Sequence, residues 1–174
     1  GDVIVYKLNG KDVFKSALQP NFWRAPNDNH YGSYFQKRLI EWKDAGNKTT
    51  LVSLTPAAQN ADGWLQVSIV KTLLNGDATY TQNIWVDGKG AMKVSNAFNA
   101  QKGKHEMLMR FGNHNLLPTD FINIQWYGRG PVENYQDRKI ATMVGLYSGL
   151  IKDQYYPYVR PQESGNKTDV RWAK

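Results

Sequence analysis

Three short segments carry the side chains whose types and spacing could do chemistry. The first holds Trp23, Arg24, Asn27, Asp28 and Asn29, the second Trp126, Arg129, Glu133 and Asn134, and the third Arg160 and Glu163. In each, an Arg stands within two residues of a Pro, with carboxylates and amides close by. Guanidinium is a planar fork of donors that pairs with carboxylate in a bidentate fashion, so the simplest expectation is that the loops cross-pair in one Arg/carboxylate/amide network. A second chemistry is proton transfer by a His beside a Glu, for which His30, His105 and His114 are the candidates. His105 sits in a Lys/Gly turn, where exposure is expected, whereas His114, in Phe111-Gly-Asn-His-Asn115, is the one placed for a sheet face. A third is ligand stacking on Trp23, Trp126, Tyr127 or Tyr158, rings that serve equally to cap a core.

The central stretch, Trp126 to Arg138, reads as a shaped loop, with Gly128 and Gly130 supplying backbone freedom and Pro131 fixing the next φ. Strands must hold it: Ile122–Tyr127 entering and Ala141–Tyr147 leaving. Upstream, Val3–Tyr6 and Val13–Phe14 flank Asn9-Gly10, a strong hairpin signal. The stretch Leu18–His30 has two prolines and a cluster of Asn and Asp, and is expected to be a loop. Apolar spacing between Ser33 and Ala45 predicts the one short helix, near residues 34–45, stopping at Asp44-Ala45-Gly46. Runs rich in β-branched and aromatic residues then predict strands over 49–54, 63–74, 78–86, 91–99 and 106–111, with turn residues between them. Within Trp64–Lys71, Gln66 and Ser68 alternate with Val67 and Ile69. This pattern predicts an all-β fold, a mostly antiparallel β-sandwich, over a single domain of 174 residues.

The balance of 22 basic and 15 acidic residues gives a net charge of +7. The basic residues are scattered among turns instead of clustered, so no nucleic-acid footprint is expected. The absence of cysteine excludes disulfides, thiolate nucleophiles and Cys-based zinc sites. No apolar run approaches the roughly 20 residues of a membrane span. The compartment stays open.

Arg24-Ala-Pro-Asn-Asp-Asn29, Glu41-Trp-Lys-Asp-Ala-Gly46, Trp126-Tyr-Gly-Arg-Gly-Pro-Val-Glu-Asn-Tyr-Gln-Asp-Arg138 and Tyr158-Val-Arg-Pro-Gln-Glu163 through Asp169-Val-Arg-Trp172 together resemble the small-chain domain of bacterial β-galactosidases, retaining glycoside hydrolases of family two. His30 and Ser164 depart from that pattern, which usually has Asp and Asn there. The resemblance implies a supersandwich shaped like galactose mutarotases. In the family this domain continues past the positions of Arg171-Trp172, so the chain is expected to be the larger part of it.

Retaining hydrolysis of β-galactosides needs two carboxyl groups roughly 5–5.5 Å apart. In the family both belong to a TIM barrel elsewhere, as does the magnesium site, and sodium is likewise held in other domains. The resemblance therefore implies no catalytic residue and no cofactor in this chain, even for the tempting pair Glu133 and Glu163. It implies packing against the barrel, a place near the galactoside substrate, and homo-oligomer contacts. Two other readings stand beside it: a stand-alone sugar-binding module using the residues of the three segments, and a mutarotase-like aldose epimerase.

Overall fold

The computed structural model describes residues 1–174. They form two compact units, Gly1–Arg24 with Lys37–Leu117, and Ala25–Gln36 with Pro118–Lys174. The strands are paired antiparallel throughout, and no helix is long and apolar enough to cross a membrane. The all-β, mostly antiparallel fold class read from the sequence is the fold class of the structure.

In the first unit, β1 (Lys7–Leu8) and β2 (Lys11–Asp12) pair across Asn9-Gly10. Both turn residues have positive φ, 50° and 78°, as a two-residue hairpin turn requires. The ladder is narrower than the expected Val3–Tyr6 with Val13–Phe14, because Val3 bridges to Leu18 instead. After β3 (Gln19–Asn21) comes a four-stranded meander of β4 (Thr50–Gln59), β5 (Leu65–Leu73), β6 (Ala78–Val86) and β7 (Met92–Ala100), then β8 (Gly112–His114), which pairs with β3. Residues 106–111, expected as a strand, make no ladder. Side-chain contacts hold them instead: Glu106 takes Arg38 at 2.5 Å, and Phe111 stacks on Phe22 with centroids 6.0 Å apart.

Alternation in β5 and β6 buries Ile69 and Leu73 on the same face as Ala78, Tyr80, Gln82 and Ile84. Phe22, Leu39 and Trp42 complete this core, with the Phe22 ring 5.9 Å from Trp42 and 5.5 Å from Phe98. Two polar side chains buried on this face have partners. Gln82 donates to the Tyr80 hydroxyl at 3.1 Å and to Asn96 at 3.0 Å, and the buried Lys71 pairs with Asp2. Burial pushes the Tyr80 phenol above its ordinary value.

The single helix expected near 34–45 is not continuous. A first turn forms earlier, α1 (Asp28–Gly32), inside the stretch expected to be irregular; Tyr34 then takes φ 56°, and the chain resumes as α2 (Phe35–Arg38) followed by a 3₁₀ turn, Ile40–Trp42. The buried residues explain the second break. Leu39, Trp42 and Ala45 recur every three positions, the period of a 3₁₀-helix and not of an α-helix.

The second unit has the sheet β10–β9–β11, with β9 Asn123–Gly130, β10 Met143–Leu150 and β11 Trp172–Ala173. Gly128 and Gly130 are therefore strand residues, and the loop proper begins at Pro131. Their value is close approach rather than backbone freedom. A Cβ on Gly128 would lie 2.8 Å from Val170 Cα, and one on Gly130 would lie 2.7 Å from the Tyr147 ring.

Candidate functional site

The polar residues of the second and third segments meet in the second unit, where β9 delivers the chain into the loop after Pro131 and β11 returns alongside it. Glu133 is its carboxylate centre. Its side chain is 9% exposed, and it accepts hydrogen bonds from the Tyr158 hydroxyl, from the Gly165 backbone N–H at 3.1 Å and from Arg138 at 3.4 Å. Arg138 also donates to the Glu163 carbonyl at 3.0 Å and lies over the Tyr158 ring. A carboxylate so fully engaged by donors of its own chain is a structural anchor.

Beside it, Asn134 is wholly buried. Its Oδ1 accepts from both the backbone N–H and the hydroxyl of Thr168, and its Nδ2 donates to the Val132 carbonyl at 3.1 Å. Its backbone pairs with Asn166 as well, at 2.8 and 2.9 Å. Arg129 leaves β9 to donate to Asp169 at 2.6 Å and to the Lys139 carbonyl at 3.2 Å. The Arg129 hydrogen bond, reinforced by Lys139, holds the Asp169 carboxyl below the usual range. Trp126 is 2% exposed, its indole N–H bonded to the Arg129 carbonyl at 3.0 Å. Lys167 lies over that indole, and burial lowers its ammonium below the ordinary lysine value, against the pull of Glu133. Together Trp126, Glu133, Lys167, Tyr155 and Tyr156 line a cleft of about 360 Å³.

The first segment divides between the units. Trp23 and Arg24 lie in the first, and Asn27, Asp28 and Asn29 in the second. Asn27 caps α1, accepting from the His30 N–H at 3.0 Å while His30 Nδ1 accepts from the Asn27 N–H at 3.1 Å. The neighbouring Asp28 takes the Pro161 carbonyl through its backbone N–H at 2.8 Å and the exposed Arg160 through its carboxylate at 3.1 Å. Asn29 is exposed, its carbonyl accepting from Ser33. Of the histidines, His114 is exposed on β8. His105, expected to be exposed, is instead 13% exposed between the carboxylates of Glu41 and Asp77. No group of three or more His, Asp or Glu side chains is placed to hold a metal ion.

Of the residues singled out in the sequence, Arg129, Glu133, Asn134 and Glu163 lie in this unit, Glu133 and the Glu163 carbonyl sharing Arg138 and Arg129 turning to Asp169. Lys167 and Thr168 are not among those singled out, having no motif of their own beyond their position between Asn166 and Asp169.

The model of the family described as beta galactosidase small chain matches residues 1–174, the whole chain. The chain belongs to that family. It is 34% identical over 173 residues to a beta-galactosidase of Priestia megaterium, covering 99% of this chain and 16% of the relative. It is 33% identical over 169 residues to one of Lactobacillus delbrueckii subsp. bulgaricus, covering 95% of this chain and again 16% of the relative. A beta-galactosidase of Streptococcus thermophilus is similar at 28% over 166 residues. The small-chain match thus spans about one sixth of the length of these relatives, and the rest of each lies outside it.

Proposed function

We propose that this chain is a single non-catalytic domain of a β-galactosidase that hydrolyses terminal β-galactosides with retention, and that it packs against the catalytic barrel to help shape the active site. The observation that carries this reading is the state of Glu133. Its carboxylate is 9% exposed and both oxygens already accept hydrogen bonds from Tyr158, Gly165 and Arg138, an arrangement poorly suited to attacking or protonating a glycoside. The nucleophile and the acid/base belong, in this reading, to the five-sixths of the parent outside the match, as do its magnesium and sodium. Contacts between copies of the parent would also involve this domain.

The test is direct. The purified 174-residue chain should not cleave a chromogenic β-galactoside, and adding Mg²⁺ and Na⁺ should not change that; turnover abolished by Glu133→Gln would overturn the reading.

The cleft beneath Tyr155 and Tyr156 favours a second reading, a sugar-binding module. Both rings are exposed and stand beside the polar groups of Glu133 and Lys167. Galactose at millimolar concentration should then shift the amide signals of Tyr155 and Tyr156, and unchanged spectra would remove it.

A further inference from the structure

His105 is the one imidazole held at both nitrogens by carboxylates. Nδ1 lies 3.0 Å from Glu41 and Nε2 lies 3.1 Å from Asp77. These partners come from elements far apart in sequence: Glu41 from the 3₁₀ turn that buries Trp42, and Asp77 from the turn between β5 and β6. The Trp42 ring itself packs edge-on against the imidazole, centroids 6.0 Å apart. The approach is tight enough to require glycine two residues before. Gly103 has φ 73°, and a Cβ there would lie 2.5 Å from Asp77 Oδ2 and 2.7 Å from His105 Nε2. Asp77 is further tied to this segment through its carbonyl, which accepts from the N–H of Gln101 and of Lys102. Glu41, Asp77, Lys48 and His105 border a cavity of about 250 Å³.

We propose that His105 is a proton-operated clamp of the first unit: as imidazolium it donates from both nitrogens and joins the Glu41 turn to the β5–β6 turn, and on losing a proton it releases one of them. A neutral imidazole has one N–H, so it can satisfy one carboxylate and must turn a lone pair toward the other. The other charges nearby do not duplicate the clamp. Lys48, which faces the cavity, pairs with Asp44 at 3.2 Å, and Glu106, on the segment of His105, pairs with Arg38. His105 is hydrogen-bonded to both Glu41 and Asp77, whereas the Lys48 ammonium is paired with Asp44.

The hydrogen bond to Glu41 raises the affinity of His105 for its proton, and the one to Asp77 adds to it, against the opposing effect of burial. The folded value therefore lies above the ordinary imidazole value of roughly 6.5. Stability from the clamp is fully present below about pH 6.5 and is lost as pH rises through the folded value.

The experiment is a pH titration of the 174-residue chain by imidazole NMR, with thermal melts from pH 5.5 to 9. The His105 midpoint should lie above the ordinary imidazole value of roughly 6.5, and Tm should fall across that midpoint. His105→Gln, which keeps a polar side chain without the titration, should flatten the fall. Glu41→Gln and Asp77→Asn should each lower the midpoint, which keeps the test open if His105→Gln does not fold. Hydrogen exchange at residues 39–45 and 74–78 should quicken above the midpoint. A His105 midpoint at or below that ordinary value, or a Tm profile unchanged by His105→Gln, would overturn the clamp.

Discussion

Asn134 Oδ1 receives two hydrogen bonds from Thr168, one from its backbone N–H at 2.8 Å and one from its hydroxyl at 2.6 Å. A single amide thus joins the loop after β9 to the segment that leads into β11. Asn134→Ala would leave two buried donors unpaired, each worth about 1–3 kcal/mol. The chain should lose roughly 2–4 kcal/mol of unfolding free energy in urea, reported by Trp126 fluorescence. Asn134→Asp, which keeps the acceptor, should lose less.

Glu133 gives a milder result than its burial alone would imply. Removing one partner of a buried ion pair typically costs about 3–5 kcal/mol because it strands the other charge. Arg138, however, is 31% exposed and has the Glu163 carbonyl as a second acceptor. Glu133→Ala should therefore cost nearer 2–3 kcal/mol, and an urea midpoint equal to the parent's would show that the carboxylate is not an anchor.

Gly46 looks in the sequence like a helix stop, yet its backbone is not left-handed. It is where the chain lies against β3: a Cβ there would fall 2.0 Å from the Pro20 carbonyl oxygen. Backbone cannot swing aside as a side chain can. Gly46→Ala should destabilise the first unit by about 1–3 kcal/mol or more, while Gly32→Ala, with open space around it, should not, and differential melts of the two variants separate the cases.

The depressed carboxyl of Asp169 predicts an acid limb. A group whose folded value is lowered contributes stability above its unfolded value, near 3.9, and that contribution is lost as pH falls through the folded value. Carboxyl NMR should place the Asp169 midpoint below the ordinary Asp value near 3.9. Arg129→Gln should raise it, since the Arg129 hydrogen bond is the main cause of the shift.

Local pattern carried most of the fold. Ala78–Val86 coincides with β6, and the neighbouring meander strands differ by a few residues at their ends, because alternation and turn residues act over short range. The helix expected near 34–45 is present as two short turns for a physical reason: the burial of Leu39, Trp42 and Ala45 sets a three-residue period that a helical pattern resembles over one turn. The engagement of His105 was invisible in sequence, since Glu41 and Asp77 are brought to it by packing. The two departures from the family motif found local roles. His30 completes the cap of α1, and the Ser164 hydroxyl both accepts from the Tyr156 N–H and donates to the Tyr156 carbonyl.

The second unit is assembled from Ala25–Gln36 and Pro118–Lys174, with the larger part of the first unit running between those stretches. No single break in the gene can separate the units. Recombination that exchanged one of them for a relative's would need a crossover on each side of residues 25–36 and another near residue 118.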